Sequence, residues 1–157
     1  MSPWSHPTTV PPGPMTRDLA PRPGVTLVEG GADVAVYAGH ADAVELCLFD
    51  AGDKAGTSER RIPLLERAHG WWFAFVPGIT AGQRYNFRAH GAWSPDQGLR
   101  HNPAKLLLDP YAKAIEGKVR WGAEVYGHVV DVRWHGDGEL ISDLDSRGHM
   151  PRGGAPK

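Results

Sequence analysis

Thiols are almost missing from this chain: its 157 residues include one cysteine, Cys47, so no internal disulfide can form and the fold must rest on its own core. Cys47 lies in the apolar run 43–49, with no neighbouring cluster of cations to lower a thiol pKa. It is expected to be a buried small hydrophobe rather than a nucleophile. Long apolar runs are also missing, and none approaches the roughly 18 to 20 residues of a membrane helix. The first residues, Met1 to Pro7, lack the charged and hydrophobic regions of a signal peptide, so a reduced, cytoplasmic setting is expected. Charge of one sign does not dominate. The chain has 17 basic and 18 acidic residues with no basic block or stripe, which argues against nucleic acid or a membrane as a partner. The eight histidines include His90 and His101 in one loop, but no His-x-x-x-His, Cys-x-x-Cys or clustered carboxylate spacing accompanies them. Neither a metal nor any other cofactor is expected. A Gly-x-Ser-x-Gly nucleophile elbow and a phosphate loop are absent too.

Proline, by contrast, is dense at the start: Pro3, Pro7, Pro11, Pro12, Pro14, Pro21 and Pro23 remove backbone donors and prevent helix or central-strand formation. Residues 1–23 are therefore expected to be a disordered tail, with Met15 an alternative start. From Val25 the pattern is strand. In Ala43 to Phe49, Val44, Leu46 and Leu48 alternate with Glu45 and Cys47, the period of two of a half-buried strand. Gly70 to Val76 sets Trp72, Ala74 and Val76 against Trp71, Phe73 and Phe75. Gln83 to Ala89 sets Tyr85, Phe87 and Ala89 against Arg84, Asn86 and Arg88. Turn residues separate the runs at Gly30-Gly31, Asp50 to Asp53, Ala68 to Gly70, Pro77-Gly78, Ala81-Gly82 and Gly91. Short strands at such spacing predict an all-β fold, an antiparallel β-sandwich over 24–116. Leu106 to Asp109 reads as a last strand stopped by Pro110. The polar, Gly-rich remainder, 117–157, reads as a loose extension, disordered over 137–157, in which Gly153-Gly154 is a tail.

One stretch is too irregular to be a periodicity: His90-Gly91-Ala92-Trp93-Ser94-Pro95-Asp96-Gln97-Gly98-Leu99-Arg100-His101-Asn102-Pro103, then Lys105-Leu106-Leu107-Leu108-Asp109-Pro110-Tyr111-Ala112. It resembles the end of the N-terminal module of bacterial glycogen debranching enzymes of the isoamylase type. That module belongs to carbohydrate-binding module family 48, and its parent enzymes to glycoside hydrolase family 13. The resemblance extends back through Gly30 to Tyr37, Ala43 to Asp50, Val76-Pro77-Gly78 and Gly82 to Tyr85, covering roughly 24–150. Ala92, Trp93, His101 and Asp33 depart from its usual Pro, Tyr, Phe and Asn. It implies an immunoglobulin-like sandwich followed by a catalytic barrel, which takes about 250 residues. The 157 residues stop before such a barrel, as a truncation would. Two carboxylates about 5 to 5.5 Å apart, as retaining glycosidases require, are implied to lie on that barrel. The chain alone is accordingly expected to be inactive, with no catalytic residues of its own.

What the resemblance implies instead is a noncatalytic module that positions glycogen or another α-glucan, weakly, and supports the barrel. Trp93 is the first candidate for stacking on a sugar ring, because related glycogen-binding modules often carry a Trp after this Gly; packing against the barrel is the other reading. Trp71 and Trp72 are strand neighbours and must point to opposite faces. Trp72 is assigned to the core, and Trp71 to an outward apolar patch with Phe73 and Phe75 that either glucan or the barrel would cover. Related modules use a second Trp after the second main strand, and here Ala51 to Gly56 contains no aromatic. Arg100, Asn102, Lys105, Asp109 and Tyr111 are placed at the interdomain contact, holding the connection to the barrel in register. A free-standing glucan-binding or regulatory sandwich is the alternative.

Overall fold

The computed structural model describes Gly13 and residues 22–131, 133 and 135–156. Among the described residues thirteen strands follow one another: β1 Gly24–Val28, β2 Gly31–Tyr37, β3 Ala41–Phe49, β4 Arg60–Pro63, β5 Glu66–Ala68, β6 Trp71–Pro77, β7 Arg84–Gly91, β8 Trp93–Ser94, β9 Leu99–Arg100, β10 Ala114–Glu116, β11 His128–Val130, β12 Gly136–Ile141 and β13 Arg152–Gly154. They form a four-stranded sheet in the order β1-β2-β6-β5, a five-stranded sheet in the order β10-β13-β7-β3-β4, and two ribbons, β11-β12 and β8-β9. Every pairing is antiparallel. Among the described residues no helix is long and apolar enough to cross a membrane.

The sandwich core forms where the alternation of β2, β3, β6 and β7 points inward. Ala32, Val34, Trp72, Ala74 and Val76 of the first sheet meet Val44, Leu46, Leu48, Ile62, Tyr85, Phe87 and Ala89 of the second. Trp72 is buried as expected, and its indole N–H donates to the Ala38 carbonyl at 3.0 Å, which satisfies the polar end of an otherwise apolar side chain. Gly31 is where the sheets need a glycine for space: a Cβ there would lie 2.2 Å from the Val76 carbonyl oxygen.

The outer face of the second sheet departs from expectation. Glu45, Asn86 and Arg88 alternate with core residues, yet all three are fully buried. Glu45 pairs with His90, and for Asn86 and Arg88 the reason is the C-terminal stretch, which is not the loose extension that its composition suggests. Its strand β13 inserts between β10 and β7, pairing Gly153 with Tyr85 and Gly154 with Arg84, and Arg152 to Ala155 are buried. The Gly153-Gly154 pair read as a tail is thus a strand. Glycine suits it because a Cβ at 154 would come within 3.2 Å of Ala114, and at 153 within 3.3 Å of the Tyr85 carbonyl. A second, smaller cluster of Cys47, Phe49 and Leu106, with Met150 against it, closes this outer layer.

Leu106 to Asp109 is correspondingly not a full strand. Leu107 exchanges both backbone hydrogen bonds with Phe87, and β13 occupies the same edge of β7 at Tyr85 and Arg84. Most of the expected N-terminal tail lies outside the described residues, Met15 included. Gly13 exchanges backbone hydrogen bonds of 2.9 Å with Phe75 of β6.

Cys47 is fully buried, and burial, with the carboxylates of Glu59 and Glu45 nearby, pushes its thiol pKa up. A thiol held protonated and out of solvent is inert. A disulfide exchange reagent should therefore modify no thiol in the native chain and one in guanidinium; rapid native modification would contradict this burial.

Candidate functional site

The irregular stretch after β7 builds a small platform. Beyond Gly91 the chain forms β8 and β9, which pair Trp93 with Arg100 and Ser94 with Leu99. A single 3-10 turn, Pro95–Gln97, joins them, and Gly98 closes it at φ 75°, donating its N–H to the Pro95 carbonyl. Proline presets φ at the turn start and glycine accepts the left-handed conformation at its end. At the base, His101 returns to the Ala92 carbonyl through its backbone N–H at 3.3 Å. Gly91 is required there by close approach, since a Cβ would sit 2.7 Å from the His101 ring.

Trp93 is half-buried at the head of this ribbon. Its indole N–H donates to the Glu139 carbonyl of β12 at 2.8 Å, and its six-membered ring lies against Gly127, 3.5 Å from where a Cβ would stand. Two contacts on different rings of the indole fix its orientation. Gly127 also lines a cleft of about 270 Å³ whose wall includes Arg100, His101, Asn102, Leu107 and Val125. A flat ring beside a cleft edged with hydrogen-bonding groups can take a sugar, the ring contacting C–H groups and the polar side chains its hydroxyls.

The other residues singled out from the sequence divide into two groups. Arg100 and Tyr111 are exposed and available to a partner. Asn102, Lys105 and Asp109, placed at the interdomain contact, instead turn inward. Asn102 donates from Nδ2 to the Gly127 and Ser142 carbonyls at 2.9 and 2.7 Å, and its Oδ1 accepts the Ala104 N–H. Lys105 donates from Nζ to the Glu124 carbonyl at 2.7 Å and to the Leu144 carbonyl, and burial lowers its pKa. Asp109 accepts the Tyr85 hydroxyl at 2.6 Å and the Tyr111 N–H at 2.8 Å; burial and this carboxylate raise the Tyr85 pKa, keeping its proton in place. These three residues lash the connection onto the extension.

Trp71 is not brought to Trp93. It lies on the outer face of the first sheet with Phe73 and Phe75, all half-buried, and meets exposed Tyr37 edge-on at 5.7 Å. Sequence reasoning passed over Trp121 and Tyr126. Trp121 is 74% exposed, its ring 6.5 Å from that of Tyr126 and tilted by 42°, and Tyr126 in turn meets His128 at 5.7 Å. The available signal was the clustering of Trp121, Tyr126 and His128 in a stretch without periodicity, where large aromatics have no core to serve.

Among the described residues no group of three or more His, Cys, Asp or Glu side chains could hold a metal. The buried carboxylates are engaged within the fold: Glu45 with His90, Glu59 with Arg88, and Asp109 with Tyr85.

The family model of carbohydrate-binding module 48, described as the isoamylase N-terminal domain, matches residues 23–112. A glycogen debranching enzyme of Cronobacter sakazakii is 38% identical over 130 residues, 83% of this chain and 18% of that protein. One of Serratia proteamaculans is 40% identical over 127 residues, 81% of this chain and 19% of that protein. The chain thus spans less than a fifth of the length of these curated relatives. Among solved structures, the catalytic module of the multi-modular glycogen-degrading pneumococcal virulence factor SpuA, in complex with an inhibitor, superposes with a TM-score of 0.55. It covers 88% of this chain and 17% of that one at 17% identity, a likeness of fold alone.

Proposed function

Because the chain belongs to the carbohydrate-binding module 48 family, we propose that it positions a branched α-glucan for a glycogen debranching enzyme and performs no hydrolysis itself. The observation that carries this reading is Trp93, an aromatic ring fixed in orientation on a short strand beside an open cleft, within the region that matches the family. Trp121 and Tyr126 add a second aromatic surface in the extension, where the loop after β3 offers none. Hydrolysis of a branch link would fall to a barrel with its own pair of carboxylates. The outer face of the first sheet, with Trp71, Phe73 and Phe75, is the surface this reading gives to that barrel.

Titration of maltoheptaose into the wild-type chain and into Trp93→Ala tests the assignment, with Trp71→Ala as a comparison and circular dichroism to confirm folding. Loss of a stacking aromatic at a binding site costs about 2 kcal/mol or more, roughly thirtyfold in affinity. Binding is therefore expected to disappear in Trp93→Ala and persist in Trp71→Ala. Equal binding by wild type and Trp93→Ala would move the site elsewhere. Incubation with glycogen should release no reducing ends.

A further inference from the structure

A second cavity, also of about 270 Å³, lies at a corner of the five-stranded sheet away from the Trp93 ribbon. The loop after β3 supplies Asp50, Asp53 and Lys54; the start of β7 supplies Arg84; the chain after β10 supplies Lys118 and Arg120; and β13 supplies Arg152. The cavity is richer in free cations than its composition suggests, because its acids are already engaged. Asp50 pairs with Arg60 at 2.8 Å, and Glu116 with Arg84. Asp53 accepts the Gly56 and Ser58 N–H groups and the Ser58 hydroxyl, hydrogen bonds that hold its pKa down at about 2. Lys54, Lys118, Arg120 and Arg152 have no ion pair among the described residues.

Arg152 gives the cavity its direction. Its side chain is only 6% exposed and lies over the Phe49 ring, 3.9 Å from guanidinium carbon to centroid, with Nη1 donating to the Met150 carbonyl at 2.8 Å. Nε and Nη2 are buried with no hydrogen-bond partner, an arrangement proteins rarely leave uncompensated. Burial lowers its pKa, against the opposing pull of the Asp53 and Glu59 carboxylates. A guanidinium presents its donors as a planar fork that matches an oxyanion with two oxygens in the same plane.

We propose that this cavity binds a phosphoryl group, with Arg152 as its buried anchor and Lys54, Lys118 and Arg120 closing around the anion. A cavity of this volume falls just below the range of about 300 to 1,000 Å³ typical of drug-sized ligands. Its ring of cations suits free phosphate or a monosaccharide phosphate. The site is independent of the Trp93 assignment, since the cleft beside Trp93 shares only Met150 with it and none of the cations.

Thermal unfolding and calorimetric titration of the full 157-residue chain with inorganic phosphate, glucose 1-phosphate and glucose, against chloride at matched ionic strength, test the proposal. Phosphate and glucose 1-phosphate should raise the unfolding temperature, as ligands of the native state do, while chloride and glucose should not. Tighter binding of glucose 1-phosphate than of phosphate assigns the site to a sugar phosphate, and equal binding to free phosphate; both support a phosphoryl site. Arg152→Met should abolish binding. Because Arg152 is buried, the exposed pair Lys118→Ala with Arg120→Ala gives the second test, with affinity expected to fall roughly tenfold or more through loss of charge-assisted hydrogen bonds. No binding of either phosphoryl compound by wild type, or binding unchanged in the exposed double variant, overturns the proposal.

Discussion

Deleting residues 142–157 should abolish the cooperative unfolding transition of the whole sandwich. The deleted segment carries β13, which sits inside the five-stranded sheet rather than at its edge. It also supplies the cover of that sheet's outer face. The Ser146 hydroxyl accepts the Leu106 N–H at 2.7 Å, the Pro151 carbonyl accepts Asn86 Nδ2 at 3.1 Å, Asp145 pairs with Arg88, and Met150 packs on Cys47, Phe49 and Leu106. Without it, the edge of β7 loses its partner and buried polar groups lose theirs, at a cost of about 1 to 3 kcal/mol for each unsatisfied group. The sum is comparable with the roughly 5 to 15 kcal/mol that separates native from unfolded states in ordinary domains. Near-ultraviolet circular dichroism and a thermal melt of the shortened chain provide the measurement. A melt superimposable on that of the full chain would show that the segment is not part of the folding unit.

Arg88→Met should destabilise the chain by about 3 to 5 kcal/mol at neutral pH, the usual result of removing one partner from a buried ion pair. Arg88 is fully buried; its Nε and Nη2 donate to Glu59 at 2.7 and 3.2 Å, its Nη2 also reaches Asp145 at 2.9 Å, and its Nη1 donates to the Pro103 carbonyl. Burial raises the pKa of Glu59, but the hydrogen bond and charge of Arg88 outweigh it and leave the group below its usual range. Asp145 is lowered in the same manner, by the Arg147 N–H and by Arg88 against its own burial. Depressed carboxylate pKa values contribute stability that is present above the unfolded-state values, about 4, and is lost as pH falls through the folded ones. The variant has the opposite slope at Glu59. With its cation gone, a side chain that is 3% exposed favours the protonated form, so acid relieves part of the defect. Urea unfolding at pH 7 and pH 4 should show the gap between wild type and variant narrowing at the lower pH. A gap that is constant or wider at pH 4 would mean that the pair does not bear on stability as the geometry indicates.

The parts of this fold legible in the sequence are those where period-two alternation coincides with apolar side chains. The inward faces of β3, β6 and β7 appear directly in Val44, Leu46 and Leu48, in Trp72, Ala74 and Val76, and in Tyr85, Phe87 and Ala89. The opposite orientation of Trp71 and Trp72 follows from strand geometry alone. Asn86 and Arg88 misled for the same reason: a polar residue alternating with core residues normally faces water, and nothing local announces that a segment some 60 residues later covers it. That covering segment was itself hidden, because the glycines of β13 carry no side chain from which a period could be read. The loop after β9 shows the same limit. Asn102, Lys105 and Asp109 have the composition of a polar surface, and their partners, the carbonyls of residues 124, 127, 142 and 144 and the Tyr85 hydroxyl, are visible only once the chain has folded back. Trp93 drew notice because the stretch around it resembles a family, whereas Trp121 lies beyond the part of the chain that matches the family model.

The central claim is that this module recognises α-glucan through Trp93. Native electrophoresis through gels cast with and without glycogen tests it most directly, since a binder is retarded only where the polymer is present. The account predicts that the wild-type chain is slowed by glycogen and that Trp93→Ala migrates as it does in the plain gel, with Trp71→Ala still retarded. A wild-type chain that migrates identically in both gels, or a Trp93→Ala chain slowed as much as wild type, would contradict it.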